Sequence, residues 1–154
     1  MSDVSLHSPL VLLVATAVIA VVAGLLPASP GDALLLAVAA AAPPPLLLAL
    51  VSVATAGSMA AKSVVYRVGR RAPCAIPPRY RPWLERAQAR LAGRRGLQRL
   101  VVLASSATSV PPFYPVTALA GTLGLPLRDF LVAGGVGAAI RFTALLSLPR
   151  LLAA

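Results

Sequence analysis

The feature that most limits the fold of this chain is a series of apolar segments, several of which prolines interrupt below the length of a membrane span. Residues 10–26 form an unbroken apolar run of 17 residues, just long enough to cross a bilayer as a helix. Pro27 and Pro30 end this run, and the apolar segment that follows, 31–42, has only 12 residues. As a helix that segment measures about 18 Å, against about 30 Å of hydrocarbon, so it cannot cross alone.

The second half of the chain repeats this order of features. It begins with a short apolar segment, 100–110, which is followed by a proline break that contains Pro111, Pro112 and Pro115. A second short apolar segment, 116–125, and a long apolar stretch, 127–148, come next. The matching long stretch of the first half is 46–66. Proline-interrupted short segments at corresponding places in two halves point to a transport site where broken helices meet. Ordinary interfacial loops that contain proline are the alternative.

The hairpin breaks predicted from this pattern, with the glycines that accompany the prolines, are Pro27, Pro30, Gly31, Pro111, Pro112, Pro115 and Gly121. A backbone broken in this way survives at membrane depth only where protein shields it or where it lines water. We therefore expect two opposed re-entrant hairpins. For the first apolar run a cleaved signal peptide is the alternative, because Ala28 and Ser29 follow it at a suitable distance.

The composition favours a protein that resides in a membrane. Apolar residues make up 58% of the chain and charged residues 12%, whereas soluble domains contain about 45–50% and 25%. Of the 14 lysines and arginines, ten lie between residues 67 and 99. Basic loops beside apolar spans mark the cytoplasmic face and attract anionic lipid. We expect one all-α integral membrane domain, 1–154, multi-pass in the inner cell membrane, in which a cytoplasmic basic loop, 67–99, joins the halves 10–66 and 100–148.

The basic block contains one segment with the two-sided pattern of an amphipathic helix. It starts at Pro82, a favourable first helical position, and Gly93 and Gly96 are expected to end it. At helical spacing the apolar side consists of Trp83, Leu84, Ala87 and Leu91, and the basic side of Arg86, Arg90 and Arg94. We expect this helix on the membrane surface, where Trp83 and the three arginines bind lipid, either by recognising acidic head groups or by plain anchoring.

The sequence lacks the patterns of an enzyme or of a nucleic-acid-binding protein. The arginines lie between apolar spans with almost no aromatic or glycine-rich interleaving, which argues against nucleic acid as a partner. The only histidine is His7 and the only cysteine is Cys74, so neither a metal-ligand cluster nor an intrachain disulfide is expected. No serine has an evident base nearby in the sequence. We expect no enzymatic activity, no cofactor and no metal.

Polar residues within or beside the apolar segments are the candidates for a substrate or proton path: Asp32, Lys62, Tyr114, Arg128, Asp129 and Arg141. Ionisable groups at membrane depth point to function. Arg141 is the deepest, and its guanidinium can bind a phosphate bidentately. The alternatives are a helix cap for Asp32, snorkelling for Lys62 and Arg141, interfacial anchoring or a local ion pair for Arg128 with Asp129, and an interfacial position for Tyr114.

Three segments also resemble motifs of a known family. Segment 24–35, GLLPASPGDALL, is similar to a proline-proline-glycine-glutamate motif at a re-entrant helix. Segment 57–70, GSMAAKSVVYRVGR, is similar to a stretch that ends in tyrosine, two residues, glycine and arginine, and segment 119–130, LAGTLGLPLRDF, is followed by Gly137. In order and spacing these segments, over about residues 20–142, resemble the DedA family, also called the VTT or SNARE-associated Golgi protein domain.

The resemblance implies two opposed re-entrant hairpins and a role in moving lipids between leaflets. Bacterial members of the family are linked to recycling the polyprenyl-phosphate carrier or aminophospholipids, with proton coupling, and eukaryotic relatives resemble scramblases. This chain carries Asp32 where the family has glutamate and Lys62 where it has aspartate before the tyrosine. The arginines of the family's second hairpin would fall near Ala107 and Phe113 and are absent.

The expected function is therefore flippase-like or scramblase-like transport of a phospholipid or a polyprenyl-phosphate carrier, with proton coupling as an option. The partners would be membrane lipids, anionic or phosphate-bearing, and a homo-oligomer is compatible with the sequence. A proton-coupled exporter of small solutes and a non-transporting membrane assembly or partner protein are the two alternatives.

Overall fold

The computed structural model describes residues 8–26, 31–72, 74 and 76–151, and all regular structure in these residues is helical. The α-helices of the described ranges are α1 (Pro9–Leu25), α2 (Gly31–Ala41), α3 (Leu47–Arg71), α4 (Arg81–Leu91), α5 (Arg95–Thr108), α6 (Phe113–Thr122) and α7 (Leu127–Leu151). Short 3-10 helices, Pro44–Leu46 and Pro78–Tyr80, precede α3 and α4. The all-α prediction is confirmed.

Two helices in the described part of the chain are long and apolar enough to cross a membrane. One comprises α3 with the 3-10 turn before it, Pro44–Arg71, and the other is the segment Leu127–Ser147 of α7. The predicted first span, α1, has 17 residues and is the shorter apolar helix Pro9–Leu25. By length and composition, α3 and α7 suggest that the protein associates with a membrane.

Helices α1 and α3 lie side by side and run in the same direction. Leu12 and Leu50 share a buried cluster near the beginnings of the two helices. Further along, an added Cβ at Gly24 would lie 2.6 Å from the Cβ of Ala61, and one at Gly57 would meet α1 in the same way. Small residues at the interface, including the pair Gly57 and Ala61, let the two backbones approach closely.

Helices α5 and α7 pack in the corresponding way in the second half. Arg99 and Asp129 form an ion pair of 2.7 Å near the beginnings of α5 and α7. Further along, an added Cβ at Gly137 would lie 2.5 Å from the carbonyl oxygen of Leu103. In each half, the first short helix therefore runs parallel to the long helix.

The second short helix of each half packs against the long helix of the other half. Leu35 of α2 lies in a buried cluster with Phe142 of α7. On the other side of the molecule, an added Cβ at Gly69 of α3 would lie 2.5 Å from the carbonyl oxygen of Ala118 in α6. These contacts of α2 with α7 and of α6 with α3 hold the two halves of the chain together.

An aromatic cluster forms the core between α3, α6 and α7. The ring of Phe130 stacks on Tyr66, with centroids 5.1 Å apart, and on Phe113, at 6.3 Å. The buried hydroxyl of Tyr66 donates a hydrogen bond to the carbonyl oxygen of Leu125. The turn between α6 and α7 is thereby fixed to the middle of the bundle.

Several boundaries differ from the sequence prediction. The basic segment 67–99, expected as a loop, includes the end of α3 and the beginning of α5, and Gly96 lies within α5. Pro115 lies in the first turn of α6, where the missing amide costs no intrahelical hydrogen bond, so the second break is limited to 109–112. Gly121 also lies within α6, where an added Cβ would collide with the carbonyl oxygen of Tyr66, so it allows close packing and breaks no hairpin. The predicted breaks at Pro27 and Pro30 lie outside the described residues.

The predicted amphipathic helix is α4, and its apolar side contacts protein. Leu84 and Leu91 are buried in a cluster with Val65 of α3 and Leu119 of α6. Trp83, expected to contact lipid, is half-buried and packs against the same cluster. Of the predicted basic side, Arg86 and Arg90 lie in α4 and are exposed, whereas Arg94 is exposed but lies beyond the end of α4, immediately before α5.

Candidate functional site

A cavity of about 260 Å³ is lined by residues from both halves of the chain. Leu26 and Asp32, on either side of the break between α1 and α2, contribute to its wall. Ser109 and Pro112, from the break between α5 and α6, contribute as well. The long helices complete the cavity, so both halves of the chain form a single site.

Arg141 connects the elements that surround the cavity. Its guanidinium forms an ion pair with the carboxylate of Asp32 in the first turn of α2. A second guanidinium nitrogen donates a hydrogen bond of 2.7 Å to the hydroxyl of Ser109. The Arg141 side chain is 22% exposed and that of Asp32 47% exposed. One side chain of α7 therefore holds both breaks in contact with the same long helix.

The carboxylate of Asp32 occupies a favourable place for a negative charge. Asp32 is the second residue of α2, where amide groups have no intrahelical partner and the helix dipole is positive. The ion pair with Arg141 places a positive charge beside the same carboxylate. The sequence left a helix cap and a functional role as alternatives for Asp32, and its geometry is compatible with both.

The loop at the second break is held by its own side chains. Ser109 ends α5 in the left-handed region, with φ of 59°. The hydroxyl of Ser105 donates to the carbonyl oxygen of Pro111 at 2.6 Å, and the amide of Val110 donates to the hydroxyl of Thr108 at 3.2 Å. These bonds satisfy backbone groups that the broken helix leaves without partners. The Ser109 hydroxyl is thereby presented to the cavity in a defined position.

Lys62 lies on the side of the cavity formed by α3. Its residue surface is only 6% exposed, and its ammonium lies 5.5 Å from the ring centre of Phe113 and 5.6 Å from that of Tyr114. Cations favour such positions over aromatic faces. Within the described ranges, Lys62 makes neither an ion pair nor a hydrogen bond.

Four of the six residues predicted for a path line this cavity, and two do not. Those that line it are Asp32, Lys62, Tyr114 and Arg141. Arg128 and Asp129 lie instead in a groove between α5 and α7, which has a volume of about 420 Å³ and mostly apolar walls. Asp129 pairs with Arg99 of α5, and Arg128 is exposed.

Sequence reasoning missed the contribution of Ser109. A serine two positions before a pair of prolines looks like an ordinary turn residue, and the only sequence signal for its role was its place at the end of a short apolar segment. Ser58 of α3 also lines the cavity and was not predicted. In the described part of the chain, no three His, Cys, Asp or Glu side chains form a group that could hold a metal ion.

The sequence matches no family model and no curated protein, and no solved structure matches the chain. Function is therefore inferred from the cavity, from the charges that line it and from the resemblance of the three sequence motifs.

Proposed function

We propose that this protein is an integral membrane protein that moves lipids with a phosphate-bearing head group from one leaflet to the other, and that it is a divergent protein of the DedA type. The observation that carries the proposal is the bridge that Arg141 forms between Asp32, in the first turn of α2, and Ser109, at the end of α5. It creates a polar site inside a largely apolar bundle. A polar site between two broken helices is the arrangement used by many membrane transporters.

The lengths of the helices support this arrangement in a bilayer. Helices α2 and α6 measure about 17 Å and 15 Å, about half of the hydrocarbon thickness, whereas α3 and α7 each measure about 37 Å. In our proposal α3 and α7 cross the membrane, and the hairpins α1–α2 and α5–α6 enter from opposite faces and return. Their broken backbone meets the cavity, where water or protein replaces the missing hydrogen bonds.

The size of the cavity favours a head group over a whole lipid. Small-molecule sites commonly occupy roughly 300–1,000 Å³, and this cavity measures about 260 Å³. The phosphate would enter the cavity while the acyl or prenyl chains stay in the hydrocarbon. Arg141 would bind the phosphate in competition with Asp32, and the released carboxylate would be free to take up a proton. Binding of the phosphate would thereby be coupled to the uptake of a proton by Asp32.

The exposed arginines give the proposed orientation. Arg86 and Arg90 on α4 are exposed and lie on the same side of that helix, and Arg94, which follows the helix, is exposed as well. Clusters of arginine next to membrane spans are typical of the cytoplasmic face and attract anionic lipid by about 1 kcal/mol per charge. We therefore place α4 and the basic segment 67–99 on the cytoplasmic face of the inner cell membrane.

Reconstitution tests the proposal directly. Purified protein is placed in liposomes with a trace of head-group-labelled phospholipid, and a membrane-impermeant quencher reports how much label reaches the outer leaflet. We expect rapid exchange with the wild-type protein and strongly reduced exchange with Arg141→Ala. Leu48→Ala is the control, because it truncates an exposed side chain of α3 outside the cavity and should leave exchange unchanged.

Two other results would assign the protein to the alternative classes. Static lipid distribution together with solute movement under a pH gradient would identify a solute exporter. Static lipid and no solute movement, with a partner protein that co-purifies stoichiometrically, would identify an assembly protein. Either result overturns the lipid-transport proposal.

A further inference from the structure

Lys62 is a buried cation whose charge no carboxylate balances in the described part of the chain. The acids described there are Asp32, Glu85 and Asp129. Asp32 is paired with Arg141 and Asp129 with Arg99, and Glu85 is exposed on α4. Burying an ionised group without a compensating charge is unfavourable.

The aromatic neighbours of Lys62 orient its ammonium without neutralising it. Phe113 and Tyr114 lie at 5.5 and 5.6 Å, and both begin the helix that follows the second break. Cation–aromatic contacts are weak compared with the cost of a bare buried charge. The aromatic pair therefore holds the ammonium at the cavity wall and leaves its charge available to an anion.

We propose that Lys62 and Arg141 together bind a phosphate group in the cavity, with Lys62 as the cation that provides the net charge. The formal charges of the lining residues support this assignment. Arg141 is balanced by Asp32, so the remaining positive charge of the cavity belongs to Lys62. Arg141 and Ser109 provide directed hydrogen-bond donors, and the ammonium acts as a point charge that accepts several orientations of the phosphate.

The ligand class is a phosphate group, either free or esterified to a lipid, and it has two possible sources. A lipid head group would enter from the bilayer, and inorganic phosphate would enter from water. The assignment of the lipid source rests on the proposed function, whereas the phosphate site itself does not. An anion fits the cavity better than a neutral or cationic group, because each acid among the described lining residues is already paired and none compensates the charge of Lys62.

Titration of the detergent-solubilised full chain tests the site. The ligands are inorganic phosphate and a short-chain phosphatidylglycerol, with a short-chain diacylglycerol as the uncharged control, and the readout is isothermal calorimetry. We expect Lys62→Met to weaken phosphate binding by roughly ten- to a hundredfold, the worth of a charged hydrogen bond. Lys62→Arg should retain most of the affinity, and Leu48→Met, at an exposed position of α3 outside the cavity, should retain all of it.

A second measurement uses the wild-type protein and does not depend on the folding of a variant. Lys62 is the only lysine, since 13 of the 14 basic residues are arginine. An amine-reactive ester followed by peptide mass spectrometry therefore reports on Lys62 separately from the amino terminus. We expect the phosphate ligand to slow the modification of Lys62 and the diacylglycerol to leave it unchanged.

The outcomes separate this site from the transport proposal. Protection by inorganic phosphate or by phosphatidylglycerol supports the site and identifies the source of the ligand. If Lys62 is essential for binding and liposomes show no lipid exchange, the site stands and lipid transport fails. Equal affinity of wild type and Lys62→Met, or equal modification with and without both ligands, overturns the site even if lipid exchange is observed.

Discussion

Arg141 and Asp32 are 109 positions apart in the chain, and their ion pair joins the middle of α7 to the first turn of α2. The same guanidinium donates to Ser109 at the end of α5. One side chain of α7 therefore contacts both the first turn of α2 and the residue that ends α5. Both contacts lie at the wall of the polar cavity.

A double-mutant cycle on Asp32 and Arg141 should reveal this coupling. We expect Asp32→Asn and Arg141→Gln each to destabilise the protein, and the double variant to lose less than the sum, with a coupling free energy of about 0.5–3 kcal/mol. Equilibrium unfolding of the detergent-solubilised variants measures it. The same cycle on Arg99 and Asp129 serves as the control. The side chains of that pair are 54% and 21% exposed, close to the 47% and 22% of Asp32 and Arg141, so the coupling there should be of similar size.

Additive effects at Asp32 and Arg141 would contradict the bridge. The carboxylate and the guanidinium would then act independently, and the cavity would owe its shape to the packing of α2 and α5 against α7 alone.

Replacement of Ser109 separates the roles of its backbone and its hydroxyl. Ser109 has a φ of 59°, in the left-handed region, where an alanine is disfavoured by about 1–2 kcal/mol and glycine is not. We expect Ser109→Ala to be less stable than Ser109→Gly by roughly 1 kcal/mol in chemical unfolding. Both variants lose the hydrogen bond to Arg141, so lipid exchange should fall to a similar level in both. Unequal exchange at equal protein yield would show that the backbone conformation, and not the hydroxyl, controls the site.

The sequence predicted the polar residues of the cavity better than it predicted their partners. Asp32, Lys62 and Arg141 attract attention because an ionisable group in an apolar stretch is costly unless it has a partner or water. The pairing of Asp32 with Arg141 depends on α2 packing against α7, a contact between distant parts of the chain. No local pattern encodes that choice: the depth of Arg141 in its apolar stretch favoured it over Arg128, but nothing in the sequence identified Asp32 as its partner.

The hydrophobic pattern of a helix also does not show whether its apolar side contacts lipid or protein. The apolar side of α4 was predicted from the spacing of Trp83, Leu84 and Leu91, but it packs against α3 and α6. An apolar side with this spacing can be buried against lipid or against other helices. Pro115 is a second example, because a proline ends a helix or begins one, and the structure places it in the first turn of α6.

The close approach of α3 and α6 should make two glycines intolerant of any side chain. An added Cβ at Gly69 would lie 2.5 Å from the carbonyl oxygen of Ala118, and one at Gly121 would lie 2.9 Å from the backbone nitrogen of Arg70. We expect Gly69→Ala and Gly121→Ala each to cost about 1–3 kcal/mol, because backbone cannot move aside cheaply. Thermal unfolding in detergent measures the loss.

Gly135 offers the matched control for these substitutions. It lies within α7, and an added Cβ there meets nothing within 4 Å. Gly135→Ala should stabilise the protein by about 0.5–1 kcal/mol, because alanine loses less backbone freedom than glycine in a helix. Equal effects at Gly69, Gly121 and Gly135 would contradict the close packing of α3 against α6.

Removal of the Tyr66 hydroxyl should loosen the turn that leads into α7. Tyr66 is 1% exposed, and its hydroxyl donates to the carbonyl oxygen of Leu125, which is equally buried. Tyr66→Phe preserves the stacking on Phe130 and leaves the carbonyl without this donor, at a cost of about 1–3 kcal/mol. Hydrogen exchange should increase mainly at 123–130, and lipid exchange should change little, because Tyr66 does not line the cavity. An unaltered melting temperature with unaltered protection of this turn would show that water replaces the hydroxyl, and that the aromatic stack alone fixes α6 to α7.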